Sequence, residues 1–460
     1  MRPRDPYMRS RERWALVLAS ALITLDGTAS NIALPAVGRE LSMGISNLQW
    51  MGNAPLLVMA ALLLPGGAIA DRYGRARLVR LGLLIFGAAS VACAIAGSGS
   101  LLLAARFLQG AGAALILPAV LAALRASTAD VGHRTHLFGT LAAWTGVAAA
   151  AGPLLGGGFV DLVSWRAVFG LSAAGAAVGM VLLSGGAAAE PRRGGQRVPV
   201  LPAAAVAASL GALAYLFIEG PEAGVTGRMG VVAAVGLLGL VVVGRAPGRR
   251  VLLPPDLVAA RNCVAANTVT FGLYFGLFGL SFLLVLYAQQ TLGYSALRAA
   301  VALLPLSVMM FFAPPFGRAA TNVGTRALLA AATAVSAAGL LWLGLGPHPL
   351  PFWSHMLVGT ALFGAGVSIA ASALTHAAVS AVPETCAGAA SGLNHATVRA
   401  AGLVAIALLG TVAAGNGGED ITPEGFTRAM WVCAAIVGIA GLGGSLLVRD
   451  EAPGGLCESG

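Results

Sequence analysis

The sequence predicts an all-α integral membrane protein with fourteen transmembrane helices, and three observations support this fold class. First, 58% of the 460 residues are apolar and only 10% are charged, where soluble domains carry about 25% charged residues. Second, the apolar residues fall into runs of roughly the 20 residues that a helix needs to cross a bilayer. Third, arginines alternate between the two sets of connections that such helices would have.

The apolar runs place the predicted spans at intervals with short connections, and β-barrel strands, which would alternate in polarity, are not indicated. The predicted spans are 14–35, 48–70, 78–97, 100–122, 137–159, 165–185, 199–219, 227–244, 264–288, 296–315, 326–346, 352–374, 392–413 and 429–448. Polar or Pro/Arg-rich breaks predict an N-terminal six-helix bundle over 1–190, a linker with two extra helices over 191–250, and a C-terminal six-helix bundle over 251–460.

Arginine placement predicts the orientation of these spans. All 28 basic residues are arginines, and most fall in the connections that share a side with the two termini. Because cytoplasmic connections are enriched in Lys and Arg, we expect both termini to be cytoplasmic. The arginine-only, Ala/Gly-rich composition suggests a high-GC bacterium, so the expected location is a bacterial inner (plasma) membrane. The same rule accounts for the net charge of +10, because most arginines lie in the cytoplasmic connections of a membrane protein. No nucleic-acid partner is therefore expected.

Several chemical functions are not indicated by the residues present. Without lysine, the chain cannot form the Gly-x4-Gly-Lys phosphate loop of an ATP-driven pump. The five cysteines are far apart, and no His, Cys and Glu residues share ligand spacing. We therefore expect no enzyme activity, no cofactor and no metal site.

A glycine- and arginine-rich connection follows the second predicted span. It contains Gly67, Asp71, Arg72, Gly74 and Arg75, in which glycines permit a tight turn and the aspartate can accept hydrogen bonds or pair with an arginine. The spacing of proline and glycine here recurs 250 residues later at Pro315, Gly317 and Gly324, with Thr321 in place of the acid. Such an echo is expected of transporters built from paired six-helix halves.

Three charged residues, Asp26, Arg106 and Arg399, lie well inside predicted spans, where an unpaired charge is costly. Asp26 is in the first span, and Arg106 shares one face of the fourth with Gln109 and Gly110. Burial disfavours the charged form of a carboxylate, and a nearby arginine favours it. Asp26 and Arg106 are therefore candidates for proton binding and release. The alternatives are a packing aspartate bonded to hydroxyls and an arginine with a purely structural partner.

The fifth predicted span carries a small-residue face with a proline. Small faces allow close helix approach, and proline permits a bend. The residues concerned are Gly146, Gly152, Pro153, Gly156 and Gly157.

In this order, the three motifs of spans 2 to 5 resemble the signature of the major facilitator superfamily of secondary transporters. The stretch from Leu25 to Pro35 further resembles the first-helix motif of its fourteen-helix drug:proton antiporters. The resemblance implies that the 67–75 loop is a cytoplasmic gate between two bundles and that Arg106 takes part in proton transfer. It also implies that the Gly-Pro motif on span 5 is the antiporter motif, which is found mainly in exporters.

A substrate cavity is less visible in the sequence. The ninth span has an aromatic stripe that includes Phe271, Tyr274 and Phe278 one turn after Asn267, and in the family this helix lines the cavity; a lipid-facing stripe is the open alternative. The region from Ser391 to Gly402 resembles the drug-exporter pattern. The full predicted cavity set is Asn31, Gln109, Asn267, Phe271, Tyr274, Phe278, Asn394 and Arg399.

The resemblance implies a proton-coupled secondary active transporter that exports drugs or antibiotics, as multidrug or self-resistance efflux, by alternating access between two bundles. The exported compound is expected to be small and apolar or amphiphilic. Protons, the bilayer and the exported compound are its expected partners. Two rival functions stay open. The same fold could import a solute with protons, which the Gly-Pro motif disfavours, or the chain could be a membrane scaffold that transports nothing.

Overall fold

A computed structural model describes residues 10–127, 130–184, 200–223, 227–245, 260–310, 324–380, 387–414 and 421–448, without the side chains of some helical residues. These residues form fourteen α-helices, as the sequence predicts. The helices are α1 (Ser10–Leu41), α2 (Ile45–Tyr73), α3 (Arg75–Ala94), α4 (Gly99–Ala126), α5 (Val131–Leu162), α6 (Arg166–Leu183), α7 (Val200–Ala223), α8 (Gly227–Arg245), α9 (Arg261–Leu286), α10 (Ala296–Met310), α11 (Thr325–Gly344), α12 (Leu357–Ser380), α13 (Ala387–Ala414) and α14 (Pro423–Leu447).

Eleven helical segments in the described part of the chain are long and apolar enough to cross a membrane. The described apolar parts of α8 and α10 are shorter, at Arg228–Gly239 and Ala296–Met309. A one-turn π-helix, Tyr287–Thr291, extends α9, and another, Phe352–Met356, precedes α12. The chain is thus a multi-pass membrane protein.

The repeat that the sequence predicts is visible in the backbone of two glycines. Gly74, between α2 and α3, has φ of 93°, and Gly324, immediately before α11, has φ of 91°. Both values lie in the region that only glycine enters at low cost, so each half starts its third helix with the same backbone turn. The other members of the second copy, Pro315, Gly317 and Thr321, lie outside the described residues.

Glycines also set the closest helix contacts in both halves. A Cβ added to Gly112 on α4 would lie 2.6 Å from the backbone nitrogen of Phe86 on α3. A Cβ added to Gly339 on α11 would lie 2.6 Å from the backbone nitrogen of Phe363 on α12. These distances are shorter than any side chain tolerates, so glycine allows α3–α4 and α11–α12 to pack backbone against backbone.

We call α1–α6 the first bundle and α9–α14 the second bundle, since the helices of each set pack on one another. The helix pair α7–α8 lies beside the seam where α2 meets α13. Trp50 Nε1 on α2 donates to Glu219 Oε1 on α7 at 3.0 Å, and Thr411 Oγ1 on α13 donates to the Phe217 carbonyl at 2.8 Å. Helix α7 therefore contacts both bundles.

The two ends of the molecule are distinguished by their connections. At one end, Arg166 pairs with Glu40 of α1 and donates to the Ala96 carbonyl after α3 at 3.0 Å. Trp165 Nε1 donates to Glu40 Oε2 at 2.6 Å. This end, which carries the α1–α2, α3–α4 and α5–α6 connections, is called the distal end, and the opposite end, where α1 begins, the proximal end.

Candidate functional site

Asp26 and Arg106 form an ion pair in the interior of the first bundle. The Arg106 Nη1 and Asp26 Oδ2 atoms are 2.9 Å apart. Asp26 is 4% exposed and Arg106 is 3% exposed, so both charges are removed from solvent. Helix α1 supplies the acid and α4 supplies the base, and each residue sits within a helix that is otherwise apolar.

The second carboxylate oxygen of Asp26 accepts hydrogen bonds from α4 and α6. Gln109 Nε2, one turn after Arg106 on α4, donates to Asp26 Oδ1 at 2.8 Å. Ser172 Oγ on α6 donates to the same oxygen at 2.7 Å. The Gln109 amide also donates to Ser90 Oγ on α3 at 2.9 Å. Gln109 is 1% exposed, so it belongs to this cluster and not to an open cavity.

The Arg106 guanidinium is saturated by its surroundings. Its Nη1 donates to Gln109 Oε1 at 2.6 Å, its Nη2 to Ser30 Oγ at 3.2 Å and its Nε to the Met51 carbonyl at 3.2 Å. The guanidinium carbon also lies 5.7 Å from the centre of the Phe169 ring, within cation–π range. Such a charge pair can be buried because nearly every donor and acceptor has a partner.

We call this group the acid–arginine cluster. It joins α1, α2, α3, α4 and α6 of the first bundle, and its side chains are Asp26, Ser30, Ser90, Arg106, Gln109 and Ser172. A carboxylate that is buried and already paired can exchange a proton only by breaking part of this network. The cluster is therefore suited to linking protonation to helix movement.

The glycines of the α5 motif hold α1 close to the cluster. A Cβ on Gly152 would lie 1.9 Å from Thr28 Oγ1, and one on Gly156 would lie 2.7 Å from the Ala29 carbonyl oxygen. A Cβ on Gly157 would instead lie 2.7 Å from Leu297 Cα at the start of α10. Gly146 has no neighbour within 4 Å of its added Cβ. The motif thus contacts two helices, one from each bundle, around Pro153 within α5.

Helix α1 also contacts the second bundle shortly after Asp26. Asn31 Nδ2 donates to the Ser281 carbonyl on α9 at 2.8 Å. Gln289 Nε2, in the π-helical turn after α9, donates to the Ile32 carbonyl at 3.0 Å. Asn31, predicted to line the cavity, is thus placed at a bundle-to-bundle contact.

Two more polar contacts join the bundles toward the distal end. Gln49 Nε2 on α2 donates to the Ile406 and Ala407 carbonyls on α13 at 2.9 and 2.7 Å. Asp161, at the end of α5, accepts from the backbone nitrogens of Ala296 and Leu297 at 3.0 and 2.9 Å. The second contact caps the N-terminus of α10, where a negative charge is stabilised.

The aromatic stripe of α9 lies beside α13. Phe271, Tyr274 and Phe278 are half-buried, and Phe278 lies against Gly402 of α13. Phe275 and Phe282 share this stripe at helical spacing and are fully buried. Gly272 and Gly276 pack against α14, so the stripe points away from that neighbour.

Helix α13 packs against α9 through a polar ladder. Asn394 Nδ2 donates to Thr270 Oγ1 at 3.0 Å. Thr397 Oγ1 donates to Asn267 Oδ1 at 3.1 Å. Arg399 lies half a turn farther along α13, and its Nε is buried without a hydrogen-bond partner. The predicted cavity residues of the second bundle thus lie on the two neighbouring helices α9 and α13. Two of them hold these helices together, since Asn394 of α13 bonds to α9 and Asn267 of α9 bonds to α13.

The predicted cytoplasmic gate lies at the proximal end and is described only in part. The surroundings of Gly67 and the side chain of Asp71 lie outside the described residues. Arg72 is exposed, with its guanidinium carbon 5.5 Å from the Tyr73 ring centre. The Gly74 backbone nitrogen donates to the Ala70 carbonyl at 3.0 Å. The gate assignment therefore stays a prediction.

Sequence reasoning missed several members of these contacts. Ser90 and Ser172 complete the cluster, while Gln49, Asp161 and Gln289 join the bundles. Isolated serines are frequent in membrane helices, so they carried no signal. Gln49 and Gln289 are amides close to the ends of apolar runs, and their polarity was the available clue.

Comparison with known proteins identifies the class to which this architecture belongs. The model of the Major Facilitator Superfamily matches residues 16–312 of the chain. The chain therefore belongs to the Major Facilitator Superfamily, whose members are transporters and not enzymes.

Curated relatives narrow the similarity within the superfamily. The chain is 33% identical over 440 residues to the puromycin resistance protein pur8 of Streptomyces alboniger, which covers 93% of this chain and 87% of the relative. It is 32% identical over 413 residues to the cephamycin export protein CmcT of Amycolatopsis lactamdurans, covering 86% and 84%.

Solved structures agree with the fold. The crystal structure of the POT family transporter PepTSo superposes with a TM-score of 0.68 at 18% identity. The match covers 97% of this chain and 98% of that one. At this identity the likeness concerns the fold alone.

Proposed function

We propose that this chain exports small apolar or amphiphilic compounds, antibiotics among them, from a bacterial cell in exchange for protons. Two observations support export. The relatives described above are named for puromycin resistance and cephamycin export. The α5 glycines that resemble the antiporter motif pack closely on two helices, Gly152 and Gly156 against α1 and Gly157 against α10.

The acid–arginine cluster is the observation that carries the proton-coupling part of this proposal. Asp26 is a carboxylate within a membrane-spanning helix, and such a group marks a proton or ion pathway by default. Its charged form is held by Arg106, Gln109 and Ser172. A proton on Asp26 would remove the ion pair and leave Arg106 buried without its counter-charge, so the two protonation states favour different packings of α1 and α4.

Helix α1 provides a route from protonation to movement. Asp26 and the two bundle-contacting residues Asn31 and Ile32 lie within two turns of one helix. A shift of α1 on protonation would therefore act on its contacts with α9 and the following π-helical turn. A ligand or proton changes a conformational equilibrium only through such a difference between states.

The arginine distribution supports cytoplasmic termini and a plasma-membrane location. In this orientation the distal end faces the cell exterior. The Gln49 contact with α13 and the Asp161 cap of α10 would then hold the bundles together on the outer side. Their release would accompany opening toward the outside.

Proton-driven dye efflux in everted membrane vesicles tests the proposal. The wild type should accumulate an apolar dye when the vesicles acidify their lumen, and Asp26→Asn should lower the gradient-driven rate by at least about tenfold, because the amide cannot carry a proton. Glu40→Gln is the matched control, since Glu40 is an acid on the same helix at the distal surface. It should pump at close to the wild-type rate.

Gradient-independent dye exchange across the same vesicles shows whether Asp26→Asn is folded. A variant that exchanges dye but no longer responds to the gradient supports the proton role. Full gradient-driven pumping by Asp26→Asn would contradict it. Gradient-driven movement in the opposite direction by the wild type would show a proton-coupled importer, and no movement of any tested solute would leave the scaffold function.

A further inference from the structure

Helix α13 of the second bundle contains a cation, Arg399, for which the described residues supply no counter-charge. Arg399 takes part in none of the ion pairs or hydrogen bonds seen among the described residues, and its Nε atom is buried with no acceptor. The acidic residue of the second bundle that the structure describes is Glu424, at the start of α14 and thus at the distal end. A charge in a membrane interior normally has a protein or ligand partner.

The described groups that interact electrostatically with Arg399 are a phenol and an imidazole, and neither is an acid. Arg399 interacts through space with the Tyr274 hydroxyl of α9. His395, one turn earlier on α13, interacts with Arg399 and with Arg125 of α4 in the first bundle. The surroundings of Arg399 are therefore phenolic and basic, and they lie where groups of both bundles act on one another.

Helix geometry shows which way Arg399 faces. Arg399, Ile406 and Gly410 are seven and eleven residues apart and share one face of α13. That face meets α2, because Gln49 Nε2 donates to the Ile406 carbonyl and lies against Gly410. Arg399 is two turns proximal to this contact, on the side of α13 that faces the first bundle.

Part of the aromatic stripe of α9 is likewise two turns proximal to a contact with the first bundle. Tyr274 lies two turns proximal to Ser281, whose carbonyl accepts from Asn31 of α1. Phe278 lies against Gly402, whose added Cβ would be 2.7 Å from the Phe278 ring, and Gly402 is three residues from Arg399. The guanidinium of α13 and the half-buried aromatic rings of α9 thus lie on two neighbouring helices, each of which also contacts the first bundle.

We propose that Arg399 binds a carboxylate, or a similar planar oxyanion, of the transported compound, while the α9 rings contact its flat apolar body. Guanidinium forms paired hydrogen bonds with carboxylates and keeps its charge at every physiological pH. Aromatic faces suit a flat ring system. This assignment adds a substrate class to the proposed export function. It rests on that function, because only an exporter would carry the bound compound across the membrane.

Equilibrium binding to the purified full-length protein tests the assignment without a gradient. The probes are 1-pyrenebutyrate and its methyl ester, which share the same flat body and differ in one negative charge. Energy transfer from the protein's tryptophans to pyrene reports binding, after correction for partitioning into protein-free micelles. Each probe is measured with the wild type, Arg399→Gln and Arg399→Lys.

The wild type should bind the acid about tenfold more tightly than the ester, the scale of one charge-assisted contact. Arg399→Gln should lose this preference through weaker binding of the acid, with ester affinity unchanged. Arg399→Lys should keep a reduced preference, since lysine retains the charge but not the paired geometry. Unchanged ester affinity also shows that each variant is folded.

A wild type without a preference for the acid, whether it binds both probes or neither, overturns the assignment. An acid preference that persists in Arg399→Gln overturns it as well. If this variant does not fold, the same two affinities are measured with Arg399→Met, and a persisting acid preference overturns the assignment there too. Failure of proton-driven efflux in vesicles would instead contradict the proposed function. The two failures are separable because binding is measured with no membrane potential or pH gradient.

Discussion

The two arginines inside the bundles, Arg106 and Arg399, are the same residue in opposite surroundings. Arg106 on α4 has an acid, an amide, a hydroxyl and a carbonyl as partners, drawn from three helices. Arg399 on α13 has a buried Nε without an acceptor among the described residues, and it interacts electrostatically with a tyrosine. In the part of the chain that the structure describes, the first charge has a counter-charge and the second has none.

This difference separates two kinds of work that a transporter must do. A balanced pair can stay buried through the whole cycle and respond to a proton, which is small enough to reach a closed site. An unbalanced cation beside a space between bundles gains its counter-charge only when a ligand enters. The first bundle is therefore the better candidate for energy coupling, and the second for recognition.

The largest expected difference between the two arginines is in how much their replacement changes the free energy of unfolding. Arg106→Gln should lower the free energy of unfolding by about 3–5 kcal/mol, because it leaves the Asp26 charge buried without its partner. Arg399→Gln should lower it little or raise it, since it removes a charge for which the described residues supply no partner. Unfolding in mixed micelles with increasing SDS measures both.

The double variant Asp26→Asn/Arg106→Gln is the control for this prediction. Removing both charges should restore much of the stability that Arg106→Gln loses, as expected for directly coupled residues. Equal losses from Arg106→Gln and Arg399→Gln would mean that Arg399 has a structural counter-charge after all, and the contrast between the bundles would fail.

A smaller effect is expected from the α5 glycine that holds α1 beside the cluster. Gly156→Ala would place a Cβ 2.7 Å from the Ala29 carbonyl oxygen, so α1 must shift at a cost of about 1–3 kcal/mol. Gly146→Ala on the same helix is the matched control, because its Cβ would meet nothing within 4 Å. Unfolding titrations and gradient-driven efflux should both show a defect for Gly156→Ala alone, and equal behaviour of the two variants would contradict this role of the motif.

The smallest expected effect is on the free energy of unfolding when a single hydroxyl is removed from one bundle or the other. Ser172→Ala removes a donor to the charged Asp26 carboxylate and should cost about 1.5 kcal/mol of unfolding free energy. Thr397→Val removes a bond to the neutral Asn267 amide and should cost about 0.5 kcal/mol. If the order were reversed in the same SDS titration, Asp26 would not be charged in the resting cluster.

The number and order of the helices could be predicted because each is an independent apolar run with its own ends. Even the narrow break between α3 and α4 was visible, since Ser98 and Gly99 interrupt two apolar segments. Asp26 and Arg106 could each be singled out in the sequence, because a charge in the membrane interior is costly, but their ion pair is seen only in the structure. Gln109 was harder, as its spacing suits either a cavity or the cluster.

Contacts between helices could not be read from the chain. Ser172 is 146 positions from Asp26, and nothing in its local sequence sets it apart from other serines on apolar helices. The direction of the α9 stripe was equally open, because helical periodicity defines a face but not what the face meets. The Phe278–Gly402 contact places part of the stripe against α13, and the cavity role of the stripe stays a prediction.

By itself, the sequence determined where the chain enters and leaves the apolar phase, since that depends on local composition and on the satisfaction of backbone hydrogen bonds within each helix. Only the tertiary structure decided which buried charge has a partner. Neutralisation depends on atoms within about 3 Å that come from distant helices. For this reason Arg106 and Arg399, alike in the sequence, differ in the folded protein.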